Sequence, residues 1–438
     1  MAEKNKQFAI QVSSLDCTGC GLCAKVCPAK NKALEMTESA NIMEEENKKF
    51  EYFNSLPKAK SDIFKPTTLK GSQYQKPYFE FSGACAGCGE TPYVKLLSQL
   101  FGNKMVVANA TGCSSIYGGS APACPYAKDE KGNGVAWANS LFEDNAEFGL
   151  GIADGLEINH EKLINALTEI SSETNDNNLK ELISNYLTEK DADNQRNIGK
   201  QIVDIVSNIK SENSAYQTVL ELKDHFAKNS VWIIGGDGWA YDIGYGGLDH
   251  VLASGKNINI LVLDTEVYSN TGGQSSKSTP LGAVAKFAAN GKRTNKKDLG
   301  LMATTYKNVY VAKVSMGANM NQLVQAMVEA ESYNGVSLII AYAPCINHGI
   351  NMSNSQSEMK KAVDSGYWHL WRYNPNLDHP FILDSKEPTL DYEDFLMGES
   401  RYKTLLAKDE KLAKELFAEA KQNAIETYNY YKSLAEKK

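Results

Sequence analysis

Short apolar, β-branched runs alternate with stretches of helical spacing between Phe79 and Ala343: Met105 to Ala108, Val231 to Gly235, Ile258 to Asp264, Val309 to Val314 and Val336 to Tyr342. Runs of this length bounded by turn residues read as buried strands. Their alternation with helices reads as a parallel sheet of βαβ units, an α/β fold. From Leu156 to Asn229 the pattern changes to one rich in Glu, Asn and Lys, with Leu163, Ile164, Leu167 and Ile170 at helical spacing. That spacing predicts a solvent-facing helical insertion. Tyr392 to Lys438 predicts an amphipathic helical tail. The Lys-, Pro- and Ser-bearing stretch from Phe53 to Pro77 reads as a linker behind a small N-terminal module. The expected divisions are therefore a module at 1–52, a linker at 53–78, a body at 79–391 with its insertion at 156–229, and a tail at 392–438.

Apolar runs such as Ile260 to Leu263 are too short to cross a bilayer, and Met1 to Gln11 is too polar for a secretory signal, so no membrane partner is expected. The 438 residues leave room for two or three domains, or for one large α/β unit with an attachment. Apolar residues at 42% and charged residues at 23% exclude collagen-like and disordered classes. Lys plus Arg is 46 against 53 Asp plus Glu, a net charge of -7, which gives no footprint for nucleic acid. A cytoplasmic location follows as the expectation, and there the 9 cysteines argue for metal ligation or redox work rather than disulfides.

Cys17-x-x-Cys20-x-x-Cys23-x-x-x-Cys27-Pro28 is the bacterial ferredoxin run, whose closely spaced thiolates grip a cubane iron–sulfur cluster. A zinc knuckle would use pairs at longer separation and has no need of the trailing Cys-Pro. In two-cluster ferredoxins the fourth cysteine of such a run serves the other cluster, and the first three need a ligand from a second run. No second run is present, so the missing half is expected on another polypeptide or in upstream sequence. A more dispersed set comprises Cys85-x-x-Cys88, Cys113 and Cys345, which strand and loop ends can bring together. A zinc ribbon or buried core thiols would also account for it. Gly83, Gly87, Gly89 and Gly112 beside these cysteines favour a cluster, because amides close to its sulfurs tune its potential. Cys124 is left over as a loop or core residue.

The strand Val231 to Gly235 runs into Gly236-Asp237-Gly238, and the strand ending at Asp264 releases Thr265 to Gly273. One strand end offers a carboxylate, the other offers hydroxyl and carbonyl oxygens, and the glycines let a phosphate approach backbone amides. Asp237, the Thr265 hydroxyl and the Val267 carbonyl are the oxygen donors that Mg2+ holding a diphosphate takes, as in thiamine enzymes. A nicotinamide or flavin site lacks its Gly-x-Gly-x-x-Gly here, and no Walker loop is present.

With these two constellations the sequence resembles the C-terminal part of a pyruvate:ferredoxin (or flavodoxin) oxidoreductase, from Phe8 to about Tyr373. The resemblance rests on Asp16-Cys17-Thr18-Gly19-Cys20-Gly21, on Phe81 to Tyr93, on Ala136 to Asn145, on Gly235 to Gly244 and on Tyr268 to Gln274. It implies a thiamine-diphosphate-binding α/β fold, with a mostly parallel sheet flanked by helices, behind a partial ferredoxin-like module. It implies that Cys85, Cys88, Cys113 and Cys345 hold a complete 4Fe-4S cluster, while Cys17, Cys20, Cys23 and Cys27 supply ligands for parts of two others. By the same resemblance, Glu90 and the backbone around Cys113 contact thiamine diphosphate. Gly236, Asp237, Gly238 and Trp239 line its diphosphate together with Thr265, Glu266, Val267, Tyr268, Ser269 and Asn270. Asp237, Thr265 and Val267 ligate Mg2+, and Asn270 is the polar residue that assists the chemistry.

The implied reaction is oxidative decarboxylation of pyruvate with coenzyme A to acetyl-CoA and CO2, with electrons passing singly through the clusters to ferredoxin or flavodoxin. The complete enzyme is implied to be a homodimer. The base that activates thiamine and the residues that hold pyruvate belong to N-terminal domains, expected as upstream sequence or a second chain. Glu143 and Glu266 read as surface or capping acids, and His348 as a loop or capping residue. The competing readings are a non-catalytic iron–sulfur electron carrier and the same reaction on another 2-oxoacid.

Overall fold

The computed structural model describes residues 9–56, 63–119 and 124–436. The ends of the expected module and tail, part of the expected linker and Phe8 lie outside the described residues. The strands are β1 (Met105–Ala110), β2 (Ala136–Ser140), β3 (Ser230–Gly236), β4 (Ile258–Asp264), β5 (Tyr310–Val314), β6 (Val336–Tyr342), β7 (Trp371–Tyr373) and β8 (Phe381–Leu383). They form one 8-stranded sheet in the order β2-β1-β3-β4-β6-β5-β7-β8. From β2 to β5 the neighbours run parallel, and β7 and β8 add an antiparallel edge.

Every residue of β4 and β6 is buried, as a parallel strand covered by helices on both faces requires. Their register pairs Asp264 with Tyr342, so the two strands end side by side. The chain runs outward from β1 to β2 and returns to β3 on the other flank of β1. Such a reversal opens a crevice at the carboxyl ends of the strands, here between β1 and β3.

The insertion between β2 and β3 is built from helices Asn145–Glu173, Asn177–Thr188, Ala192–Val206 and Ser214–Glu221. Asp176, Asp191 and Asn213 cap the last three through side-chain oxygens that accept backbone N–H groups. The insertion encloses its own core, with Leu163, Leu167 and Ile170 facing Ile183, Ile202, Val219 and Phe226. Its first helix begins before residue 156 because its first turns pack on the sheet, where a Cβ at Gly149 would lie 2.4 Å from Ile233.

One expected boundary, the end of the module, is crossed by a helix. Helix Met43–Ser55 runs across the expected end of the module, and helix Leu69–Ser72 buries Gly71 and Ser72, so the stretch behind the module is partly structured rather than a plain linker. The tail folds as helices Tyr392–Leu396, Ser400–Lys408 and Glu410–Glu436, which set Tyr402, Leu405, Phe417 and Tyr431 into the main core. No helix among the described residues is long and apolar enough to cross a membrane.

Candidate cofactor site

The carboxyl ends of the adjacent strands β1, β3, β4 and β6 each release one candidate residue: Cys113, Asp237, Thr265 and Cys345. Asp237 is fully buried. Its Oδ1 accepts the Thr265 N–H at 3.1 Å and the Thr265 hydroxyl at 3.0 Å, and its Oδ2 accepts the Ser276 hydroxyl at 2.6 Å. The Thr265 hydroxyl also lies 3.1 Å from the Val267 carbonyl oxygen. Adjacent ligands of an octahedral Mg2+ with bonds of about 2.1 Å sit about 3.0 Å apart, which is the spacing of the Thr265 hydroxyl from Asp237 Oδ1 and from the Val267 carbonyl oxygen. Burial, and then the neighbouring carboxylate of Asp264, push the Asp237 carboxyl well above its ordinary range. A bound cation supplies the charge that reverses this.

The glycines around Asp237 do different work. A Cβ at Gly238 would lie 2.7 Å from the Tyr268 ring, so only glycine lets that ring close over the turn. At Gly236 the nearest atom to such a Cβ is the Leu263 oxygen at 3.8 Å, which leaves room beside the backbone where a phosphate can approach. Beyond them Gly238–Ile243 winds as a π-helix and buries Trp239.

The cysteines meet through backbone packing. Gly89 donates its N–H to the Pro344 oxygen at 3.2 Å, which draws the Cys85–Cys88 loop against the residue before Cys345. Cys345 is among the groups that act electrostatically on Cys88, and Cys345 and Cys85 are among those that act on Cys113. Burial foremost, and then Glu90, push the Cys88 thiol up, and the same two causes push Cys113 up to about 12. Iron is the kind of charge that would turn such thiols into thiolates. No group of three or more His, Cys, Asp or Glu among the described residues converges on a point suited to one metal ion. A cubane, in which each thiolate binds its own iron, needs ligands around a volume instead.

Glu90 is buried and its Oε2 has no hydrogen-bond partner. Burial pushes its carboxyl up to about 7, while the Tyr117 hydroxyl, outside hydrogen-bond geometry, pulls the other way. A buried orphan acceptor of this kind fits a polar ligand group. Cys113 Sγ lies 3.2 Å from Ser269 Oγ, a contact that joins the cysteine set to the Thr265–Asn270 segment.

The N-terminal run curls around Gly19 and Gly21, whose φ values of 68° and 74° need glycine, into helix Leu22–Val26. Cys17 and Cys23 are exposed, Cys20 is half-buried, and Cys27 is buried. Cys27 Sγ accepts the Ala33 N–H at 3.2 Å, and the Ala29 and Ala33 amides hold that thiol below its ordinary value. The segment after Cys345 reaches both cysteine loops: the Cβ position of Gly87 is 2.6 Å from the Met352 oxygen, and that of Gly21 is 3.8 Å from Ser353.

Two expectations need correction, those for Glu266 and His348. Glu266 is neither a surface nor a capping acid: it is 1% exposed and its carboxylate is held by Arg401, Tyr367 and Lys296. That carboxylate is thereby committed, and the contribution of Glu266 to a diphosphate site is limited to its backbone. His348, expected as a loop or capping residue, ends the short 3-10 helix Ile346–His348 and is fully buried, with Nε2 2.8 Å from the Thr265 oxygen. Asn270 lies exposed in the tight Tyr268–Gln274 turn, and Glu143 is exposed. Sequence reasoning passed over Ser276, Lys296, Glu399 and Arg401, which lie far along the chain from their partners and carry no local motif. Asp264 was marked only as a strand end.

Residues 219–341 match the thiamine pyrophosphate enzyme, C-terminal TPP binding domain, and residues 10–30 match the 4Fe-4S binding domain. A pyruvate:ferredoxin oxidoreductase of Moorella thermoacetica is 57% identical over 98% of the chain. A pyruvate-flavodoxin oxidoreductase of Klebsiella pneumoniae is 50% identical over 99%. The chain spans 38% and 37% of the lengths of these relatives. Among solved structures, a 2-oxoglutarate:ferredoxin oxidoreductase from Magnetococcus marinus overlaps 63% of this chain and 68% of its own at 15% identity and a TM-score of 0.38, a likeness too weak to carry weight.

Proposed function

Since the chain belongs to the pyruvate:ferredoxin and pyruvate-flavodoxin oxidoreductase family, we propose that it is the part of such an enzyme that holds thiamine diphosphate and the iron–sulfur cluster beside it. The observation that carries this reading is the 3.2 Å contact between Cys113 and Ser269, which makes the two candidate sites neighbours rather than separate features. A decarboxylase that released no electrons would have no need of cysteines there.

Asp237, Thr265 and Val267 hold Mg2+, Gly236 gives the diphosphate access to the backbone, and Glu90 offers its free oxygen to the cofactor. Thiamine diphosphate, when bound, supplies the nucleophile and the electron sink for decarboxylating a 2-oxoacid. Asn270, exposed at the turn beside that site, orients the reacting group. Cys85, Cys88, Cys113 and Cys345 carry the cluster that takes the electrons, and the segment from Cys345 to Ser353 leads them toward the Cys17–Cys27 module. Over the whole reaction, pyruvate and coenzyme A yield acetyl-CoA, CO2 and a proton, and two molecules of oxidised ferredoxin or flavodoxin are each reduced by one electron. The pyruvate-binding residues and the base that activates the cofactor belong to the remaining domains of the complete, dimeric enzyme. The thiolates require a reducing compartment such as the cytoplasm.

The test is anaerobic reconstitution with iron and sulfide, titration with Mg2+ and thiamine diphosphate, and then addition of the remaining domains as a separate chain. Saturable cofactor binding followed by pyruvate- and coenzyme A-dependent ferredoxin reduction is expected. A chain that holds iron but ignores Mg2+ and thiamine diphosphate is a non-catalytic electron carrier, and reduction driven only by another 2-oxoacid overturns the assignment of pyruvate.

A further inference from the structure

The structure assigns Arg401, in the C-terminal helices, a positioning role at the diphosphate site: it clamps Glu266, the residue between the oxygen donors Thr265 and Val267, and so sets where those oxygens point. This inference rests on the reading that Asp237, Thr265 and Val267 hold Mg2+.

Glu266 has a φ of 60°, in the left-handed region where a side chain other than that of glycine, asparagine or aspartate is uncommon. A backbone held there needs an anchor, and the side chain has several. Its Oε2 accepts from Arg401 Nη2 at 2.6 Å and from the Tyr367 hydroxyl at 2.6 Å, and its Oε1 accepts from Lys296 Nζ at 3.0 Å. Arg401 is fixed in turn by Glu399 Oε2 at 2.6 Å and by the Tyr367 hydroxyl at 3.0 Å, and it is 4% exposed.

A second arm leaves the same pair. Glu399 Oε1 lies 3.5 Å from His348 Nδ1, a packing contact outside hydrogen-bond geometry, and His348 Nε2 lies 2.8 Å from the Thr265 carbonyl oxygen. One arm therefore fixes the Thr265 carbonyl and the other fixes the side chain of the next residue. The backbone of Glu266 is held as well, its N–H by Asp264 Oδ1 at 3.1 Å and its carbonyl by the Thr279 hydroxyl at 2.6 Å, so the two arms act with these bonds to set the chain direction from which the Thr265 hydroxyl and, one peptide unit further on, the Val267 carbonyl reach toward Asp237. Lys296 ties the same knot to Asp264 at 2.9 Å, which holds the end of β4. Release of Arg401 removes one of the three side-chain anchors of this residue and loosens the geometry that aims the Val267 oxygen. An ordinary buried ion pair would stabilise the fold without this directional effect.

The experiment compares R401K, Y367F and R372K with the wild-type 438-residue chain. Mg2+ affinity is measured calorimetrically at saturating thiamine diphosphate, and thermal midpoint and iron–sulfur absorption are measured alongside. R401K keeps the charge and loses the forked geometry. It is expected to weaken Mg2+ binding about 10- to 100-fold, the usual effect of removing a partner that orients a metal ligand, with the cluster spectrum unchanged. Y367F removes one hydroxyl and no charge, and should move the affinity in the same direction by a smaller factor; it decides the matter if R401K does not fold. Arg372, on β7, makes a comparable pair with Glu329 at 2.7 Å and Asp384 at 2.9 Å. R372K should lower the thermal midpoint and leave Mg2+ affinity as it is. Wild-type affinity in a folded R401K or in Y367F, or an equal loss in R372K, overturns the positioning role. Failure of the wild-type chain to bind Mg2+ with thiamine diphosphate overturns the site reading and this inference with it.

Discussion

At Gly89 a single hydrogen atom decides whether two cysteine-bearing segments can meet. A Cβ there would lie 2.6 Å from both the nitrogen and the oxygen of Pro344, backbone atoms that cannot swing aside as the end of a side chain could. Gly89→Ala is therefore expected to push Cys88 and Cys345 apart, lowering stability by about 1–3 kcal/mol and lowering the iron and labile sulfide bound per chain. Gly83→Ala, where no atom lies within 4 Å of the added carbon, should leave both quantities unchanged. Equal iron content in the two variants would contradict this account of the loop. Both glycines and the cysteines beside them were legible in the sequence as a string. The partners of Glu266 were not, because Lys296, Tyr367 and Arg401 lie 30, 101 and 135 positions away and only the fold brings them to it.

Elements announced themselves in proportion to their burial. β4 and β6 are buried at every position, and their apolar runs mark their ends to the residue. β2 reads Ala-Trp-Ala-Asn-Ser at the sheet edge, half-exposed along its length, and β7 and β8 are three residues each, so none carries a run or an alternation long enough to see. The tail was legible as amphipathic helix, yet not as a brace for the site, since periodicity reveals a buried face and not the ion pair at its end. Docking of the last helix has a pH consequence. His369 packs against Tyr428 and Tyr431 of helix Glu410–Glu436, and burial, with the charge of Lys313 second, lowers it to about 3 from an ordinary 6.5. Between those values the unfolded chain binds a proton that the folded chain refuses, so this residue's contribution is complete above pH 6.5 and is lost as pH falls toward 3. The expected slope approaches about 1.4 kcal/mol per pH unit at most. Denaturant unfolding of the wild-type chain and His369→Phe across that range checks it; identical slopes in the two proteins would refute the role of His369.

In the whole molecule, the main parallel sheet aims four adjacent strand ends at one place, and the residues released there divide into oxygen donors and thiols that touch at Cys113 and Ser269. The crevice lies where strand order reverses beside β1, which is where an open α/β sheet receives its ligand. The C-terminal helices close the far side of the oxygen donors through Arg401 and Glu399, and the segment after Cys345 reaches the N-terminal cysteine loop. The central claim is that a paramagnetic cluster and a diphosphate sit within a few residues of each other. Pulsed electron–nuclear double resonance on the reduced, reconstituted chain loaded with Mg2+ and thiamine diphosphate measures it directly through phosphorus hyperfine coupling. Resolved coupling that disappears in Asp237→Asn, with the cluster signal retained, is the result expected here; a cluster signal free of phosphorus coupling at saturating cofactor would contradict it.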